Sequence, residues 1–123
     1  MKLTEDRSPV KYIITSYSPG VLSINRSDYA AGIIVTPDAL HADWAVSHPE
    51  NIDAATVTRL LAMQPELVII GTGPRLVFPP SETRALFAAH GIGCEVMDSG
   101  AACRTFNLLI GEGRRVVAAI LPP

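Results

Sequence analysis

The sequence predicts a layered α/β domain in which a mixed β-sheet carries flanking helices and an N-terminal β-hairpin. Three observations carry that expectation. Glu66-Leu-Val-Ile-Ile-Gly71 is a short apolar run rich in β-branched residues, as in a strand covered on both faces. Cys94-Glu-Val-Met97 reads as a second strand, with helix signals between the two. Upstream of both, short β-prone runs alternate with turn residues. A chain of 123 residues suits one domain with a real hydrophobic core, and no linker, repeat or low-complexity tract divides it.

The elements follow in chain order. Lys11 to Tyr17 and Val21 to Asn25 flank Ser18-Pro19-Gly20, where proline fixes φ and glycine accepts a positive φ, so a hairpin is expected. Asn25-Arg-Ser-Asp28 reads as another turn, Tyr29 to Thr36 as a strand stopped by Pro37, and Trp44-Ala-Val46 as a short edge strand. Asn51 or Asp53 can cap a helix reaching about Met63, with Ala54, Val57, Leu60 and Leu61 as its buried stripe. Gln64-Pro65 ends it, because the residue before proline resists the α conformation. The next helix is expected from Ser81 to His90, with Ser81 as N-cap, Gly91 just past its end and Ile92 making the hydrophobic contact after it. The unit from Glu66 to Met97 should then be a right-handed crossover.

The last helix starts near Ala101 on this reading. Ala102, Cys103, Phe106, Leu109 and Ile110 share one wide apolar arc, with Ala101 and Leu108 near its margin. Gly100, Arg104, Asn107 and Gly111 make up the remaining stripe, so the helix is expected to be nearly buried. That stripe either meets a close-packed neighbour or lines a cleft.

Composition narrows the function. Apolar residues make 48% of the chain and charged residues 18%, which argues for an ordered domain. A net charge of −2, with no basic run longer than Arg114-Arg115, argues against a nucleic-acid partner. Cys94 and Cys103 are too few for a disulfide scaffold and fit a reducing compartment. No apolar stretch approaches the roughly 20 residues of a membrane span. Met1 to Arg7 carries acids and no apolar signal core, so a cytoplasmic location without membrane insertion is expected.

Two parallel strands should deliver Gly71–Gly73 and Asp98–Gly100 to one edge of the sheet, where crevices of open α/β folds lie. The candidate ligand- or partner-binding residues are therefore Gly71, Thr72, Gly73, Arg75, Phe78, Asp98, Ser99, Arg104 and Asn107. Gly71-Thr-Gly73 invites a dinucleotide reading. Leu76 stands where the third glycine should be, Pro74 lacks an N–H, and the helix begins only near Ser81, so a tight turn is the better account. Asp98 or Ser99 reads first as the cap of the last helix, worth ~1 kcal/mol. No second acid or histidine lies near in sequence to complete an acid/base pair.

Arg104 is the strongest candidate for holding a carboxylate or phosphate. The plain alternative is that Arg104 and Asn107 satisfy backbone carbonyls of adjoining loops. Arg75 and Phe78, on the long loop after the strand, suit contact with a partner protein, unless Phe78 simply tucks over the sheet edge. Cys103 lies early in a helix but on its apolar arc, so an inert buried thiol is expected. His41, His48 and His90 lack ligand spacing, and neither metal nor cofactor is expected. Trp44 and Tyr17 on an exposed β surface would permit a homo-oligomer.

These residues also carry a resemblance. Pro65-Glu-Leu-Val-Ile-Ile-Gly-Thr-Gly73, Phe78-Pro79, Gly91-Ile-Gly93, Glu95-Val-Met-Asp98, Ala101-Ala102, Arg104-Thr-Phe-Asn107 and Glu112-Gly-Arg-Arg-Val116 together resemble one small-domain family. It includes mitochondrial complex I assembly factor three and an adipogenesis-associated protein of the same fold. The match runs from about Ser18 to Leu121, and the order and spacing of the motifs are more specific than any one of them. The resemblance implies a layered α/β domain and, from the mitochondrial member, a role in assembling NADH:ubiquinone oxidoreductase. The sequence lacks that member's presequence, so a bacterial relative is expected. It points to a non-enzymatic accessory or assembly protein whose partners are proteins, respiratory-complex subunits among them. The alternative is a small-molecule or anion-binding enzyme using the crevice between Gly71–Arg75 and Asp98–Asn107. A shallow cleft under an exposed apolar patch favours the first; a deep pocket with convergent titratable groups favours the second.

Overall fold

The computed structural model describes residues 10–123. Its strands are β1 (Ile14–Ser18), β2 (Val21–Ile24), β3 (Ser27–Tyr29), β4 (Ile33–Val35), β5 (Leu40–His41), β6 (Leu67–Gly71), β7 (Gly93–Met97) and β8 (Val116–Ile120). The α-helices are α1 (Ala54–Leu61), α2 (Ser81–Ala89) and α3 (Ser99–Gly111). Strands β1-β2-β3 form an antiparallel meander. The other five form a mixed sheet in the order β5-β4-β8-β6-β7, with β8 antiparallel to β4 and parallel to β6, and β6 parallel to β7.

Strand β8 is buried along its whole length and shows why the domain has layers. Successive side chains of a strand leave on opposite faces. Val116, Ala118 and Ile120 join Ile69, Phe106 and Cys103 of the mixed sheet and α3, together with Leu22 and Ile24 of the meander. Val117, Ala119 and Leu121 join Val68, Ile70, Leu60, Phe87 and Trp44 on the other side. The sheet is thus sandwiched, with α1 and α2 on one face and α3 beside the meander on the other.

Several sequence expectations change. The strand expected over 29–36 is two strands, one in each sheet. The chain crosses between sheets at residues 30–32, where a Cβ on Gly32 would lie 3.0 Å from the Trp44 ring and from the Val46 carbonyl. Residues 44–46 form no strand; β5 pairs with β4 instead. Trp44 is buried, with its indole N–H donated to Thr56 Oγ1 at 3.2 Å, so it does not lie on an exposed β surface. A large aromatic with one polar atom gains most where the ring is covered and the N–H has a partner. Thr56 accordingly takes the buried position on α1 that Ala54 was expected to hold, while Ala54 is exposed.

The helix ends follow local rules. Asp53 caps α1 by accepting from the N–H groups of Ala55 and Thr56. Helix α2 differs from expectation: the N-cap position is Pro80, without a side-chain cap, and Ser81 is the first helical residue. At its other end Gly91 has φ +71°, and the N–H groups of Gly91 and Ile92 reach the carbonyls of Ala88 and Phe87, a Schellman motif. Helix α3 begins at Ser99, two residues before the expected start, because Asp98 caps it through Ala101 N–H at 2.9 Å. One side of α3 faces solvent: Arg104 is exposed and Leu108 is 62% exposed, so the helix is less buried than its composition suggested.

The β2–β3 turn, like the β1–β2 turn, has two central residues. Ile24 pairs with Ser27, and both central residues are left-handed, Asn25 at φ 51° and Arg26 at φ 70°. That is the type I′ geometry, for which Asn-Gly is the favoured pair. Arg26→Gly is expected to stabilise the protein by about 0.5–1 kcal/mol, the relief of left-handed strain exceeding the added freedom of the unfolded chain. The Arg26 N–H to Thr15 Oγ1 bond survives the change. A rise of roughly 2–6 °C in Tm would be the readout.

Candidate functional site

The parallel strands β6, β7 and β8 end at one rim, since Gly71 pairs with both Met97 and Ile120. The two segments expected to meet there do meet. Ser99 N–H donates to the Gly73 carbonyl at 2.9 Å, and Gly73 N–H donates to Ser99 Oγ at 2.8 Å. Thr72 N–H donates to the Met97 carbonyl. The segment after β8 joins them, with Leu121 N–H on the Gly71 carbonyl and Ser99 Oγ–H on the Leu121 carbonyl at 2.6 Å. The β1–β2 turn closes the rim, Gly20 N–H donating to the Pro123 carbonyl.

Gly71 is required by this crowding. A Cβ there would lie 2.9 Å from Ile120 Cγ2 and 3.0 Å from both Ala102 Cβ and Ser99 Oγ. The glycine brings α3 down onto the strand ends, and nothing in its surroundings invites a phosphate.

Of the nine candidate residues, some hold the architecture and some face solvent. Ser99 is fully buried, with its hydroxyl used by backbone on both sides. Asn107 accepts from Ile14 N–H at 3.0 Å and donates to the Ile14 carbonyl at 2.7 Å, hooking β1 onto α3. Thr72 Oγ1 donates to the Arg75 carbonyl and accepts from Val77 N–H, closing the base of the following loop. Asp98 is the helix cap. Arg104 departs from the expectation that it would serve a backbone carbonyl: it donates to the Tyr17 hydroxyl, and its guanidinium carbon lies 5.9 Å from the Tyr17 ring centroid. Phe78 is 56% exposed instead of tucked over the sheet edge, with Arg84 at 5.0 Å from its ring centroid.

Two open clefts flank the Gly73-Pro74 bend. One, about 470 Å³, lies between the β1–β2 turn and the start of α3 and is lined by Tyr17, Pro19, Pro74, Asp98, Arg104 and Pro123 among others. The other, about 540 Å³, lies on the opposite side of the C-terminal segment and takes in His48, Glu50, Thr72 and Arg75. Asp98 and Arg104 thus share a cleft, Arg75 faces the other, and Phe78, Ser99 and Asn107 line neither. Sequence reasoning missed Tyr17 as the partner of Arg104 and the turn at Pro19 as a wall. With the pair 87 positions apart in the chain, no local signal marks it.

Among the described residues no three His, Cys, Asp or Glu side chains group closely enough to hold a metal ion. Burial pushes the Cys103 thiol up to about 11, and burial with the Glu95 carboxylate does the same for Cys94. Both thiols stay protonated at neutral pH and are poor nucleophiles. Iodoacetamide at pH 8 is therefore expected to leave Cys103 unmodified in the folded protein and to label it once urea unfolds the chain. The sign of the pH effect follows. A folded value near 11 against an ordinary 9 leaves stability intact below pH 9 and erodes it between pH 9 and 11. Urea midpoints across that range check it, with Cys103→Ala flattening the decline.

The same fold occurs in a known protein structure, and the sequence matches a family model. A family model described as "Protein of unknown function (DUF498/DUF598)" matches residues 14–121. This chain belongs to the DUF498/DUF598 family. A zebrafish (Danio rerio) relative, NADH dehydrogenase [ubiquinone] 1 alpha subcomplex assembly factor 3, is 35% identical over 113 residues, covering 90% of this chain and 64% of the relative. The chain therefore spans just under two thirds of that protein. The 13 kDa major membrane protein of Francisella tularensis is 29% identical over 122 residues, covering 98% of this chain and 99% of the relative. The crystal structure of a Bordetella parapertussis protein superposes with a TM-score of 0.86 at 34% identity, covering 94% of this chain and 98% of that one. The layered α/β architecture is thus shared with the Bordetella protein. Among the described residues of this one, no helix is long and apolar enough to cross a membrane.

Proposed function

We propose that this chain is a non-enzymatic accessory protein that assists assembly of a respiratory or other membrane-associated complex through a protein interface. The interface is centred on the cleft beside Tyr17 and Arg104. One observation carries the reading: two exposed side chains from distant elements are already paired over an open cleft walled by Pro19, Pro74 and Pro123. Arginine and tyrosine dominate interface hot spots, and a pre-paired arginine loses less freedom on binding. The Asp98 carboxylate in the same cleft is committed to the helix cap. The names carried by the zebrafish and Francisella relatives support an assembly role beside a membrane. This reading puts the chain in the cytoplasm, and free Cys94 and Cys103 suit a reducing compartment.

The test is affinity purification of the tagged protein from its native host, as wild type and as Arg104→Ala. Respiratory-complex subunits are expected to co-purify with the wild type. Losing a hot-spot arginine worth about 2 kcal/mol should reduce them roughly 30-fold, with Tm unchanged. Absence of such subunits from the wild-type eluate would overturn the reading. So would a metabolite whose thermal stabilisation of the wild type vanishes in Arg104→Ala, since that marks a small-molecule site.

A further inference from the structure

We infer that the cleft beside Arg75 binds a small zwitterion, a molecule with a free carboxylate and a free ammonium group, as in amino acids and short peptides. The cleft holds about 540 Å³, within the roughly 300–1,000 Å³ of small-molecule sites. It opens where the parallel strands β6 and β8 end, the side of such a sheet on which ligand crevices lie. Val77 and Leu121 give it an apolar wall, and Glu50, Arg75 and His48 give it polar groups. It lies across the C-terminal segment from the Tyr17–Arg104 cleft. The site is therefore separate from the assembly interface and does not depend on it.

Uncommitted charge names the ligand. Among the described residues, the Arg75, Glu50 and His48 side chains make no hydrogen bond or ion pair with protein groups. Most other arginines are already matched. Arg59, Arg114 and Arg115 pair with Asp43, Glu66 and Asp38, while Arg84 and Arg104 lie against aromatic rings. Arg75 and Glu50 thus bring opposite charges to one cleft without meeting. Their backbone stems are fixed apart. Arg75 follows Pro74, and its carbonyl accepts the Thr72 hydroxyl, which also takes the Val77 N–H. Glu50 sits in the 3-10 turn Pro49–Asn51, closed by Asn51 N–H on the His48 carbonyl and anchored by buried Pro49. An anion at Arg75 would be opposed by Glu50, and a cation at Glu50 by Arg75. A molecule with both charges satisfies the two at once, its carboxylate on the guanidinium fork and its ammonium on the carboxylate. No protein ion pair has to break first, so little binding energy is lost to rearrangement.

The test is titration calorimetry of the 123-residue protein with free α-amino acids and unblocked dipeptides, each beside its C-amidated and N-acetylated forms. Binding is expected for an unblocked compound, falling about tenfold or more when either end is blocked. Arg75→Gln should cause a loss of the same size and leave binding indifferent to amidation. Glu50→Gln should leave it indifferent to acetylation. Tighter binding of single residues would name a free amino acid, and tighter binding of dipeptides a peptide end; either supports the inference. Both substituted side chains are exposed, so unchanged Tm verifies that the variants fold. No binding by any unblocked compound would overturn the inference, as would binding that survives blocking of both ends. A compound lost in Arg104→Ala but retained in Arg75→Gln belongs to the other cleft and overturns it too.

Discussion

Phe106→Ala is expected to destabilise the protein by about 3–5 kcal/mol, a large fraction of the 5–15 kcal/mol typical of a domain. Phe106 is fully buried where α3, the meander and the mixed sheet share one core, among Ile14, Leu22, Ile24, Ile69 and Ile120. A cavity there borders three elements, each held by its own backbone pairing, so none can move in to fill it cheaply. Urea denaturation should show the midpoint falling by roughly 2 M for a slope near 2 kcal/mol per M. Leu108→Ala, two residues along the same helix but 62% exposed, should change stability by less than about 1 kcal/mol. Equal losses from the two would mean that α3 does not present the face described above.

Ser99→Ala should cost about 2–5 kcal/mol, although it deletes a single oxygen. The hydroxyl accepts from Gly73 N–H and donates to the Leu121 carbonyl in a fully buried position. Its removal leaves one donor and one acceptor without partners, each worth about 1–3 kcal/mol. The crowding around Gly71 leaves little room for a water to replace it. Asp98→Ala, one residue earlier, loses only a cap bond to Ala101 N–H and should cost ~1 kcal/mol. Thermal unfolding of the two variants side by side gives the comparison. A Ser99→Ala loss no greater than that of Asp98→Ala would show that the hydroxyl does not tie the three strand ends together.

Strands β6 and β7 were legible because each is a β-prone run between breakers, and both lie within one residue of where their residues pointed. Because parallel strands end at a common edge, the meeting of the Gly73 and Ser99 segments was legible too. The Asp98 cap could be read from three residues. What stayed hidden was set by distant pairing. Nothing near Tyr29 says that the chain changes sheets within three residues, because β4 takes that course to lie against β8, some 85 positions on. Trp44 looked like a surface aromatic until Thr56 and the sheet covered it. The outward side of α3 was misjudged for the same kind of reason. Its apolar arc was read correctly at Ala102, Cys103, Phe106 and Ile110, but periodicity alone does not say which margin is left uncovered, and Leu108 is. Among the site residues, the roles of Ser99 and Asn107 depended on backbone groups brought from β1 and from beyond β8.

Strand β8 lies between β4 and β6, in the middle of the mixed sheet, yet it is the strand translated after all the others. A nascent chain that has not reached residue 116 therefore lacks the strand that lies between β4 and β6, so the meander side and the β6–α2–β7 unit each keep a bare apolar face, with α3 alone bridging them. The central rib of the sheet arrives last. During that interval the exposed edges of β4 and β6 are open to any neighbouring strand, which makes the partly translated polypeptide a natural client for ribosome-associated chaperones.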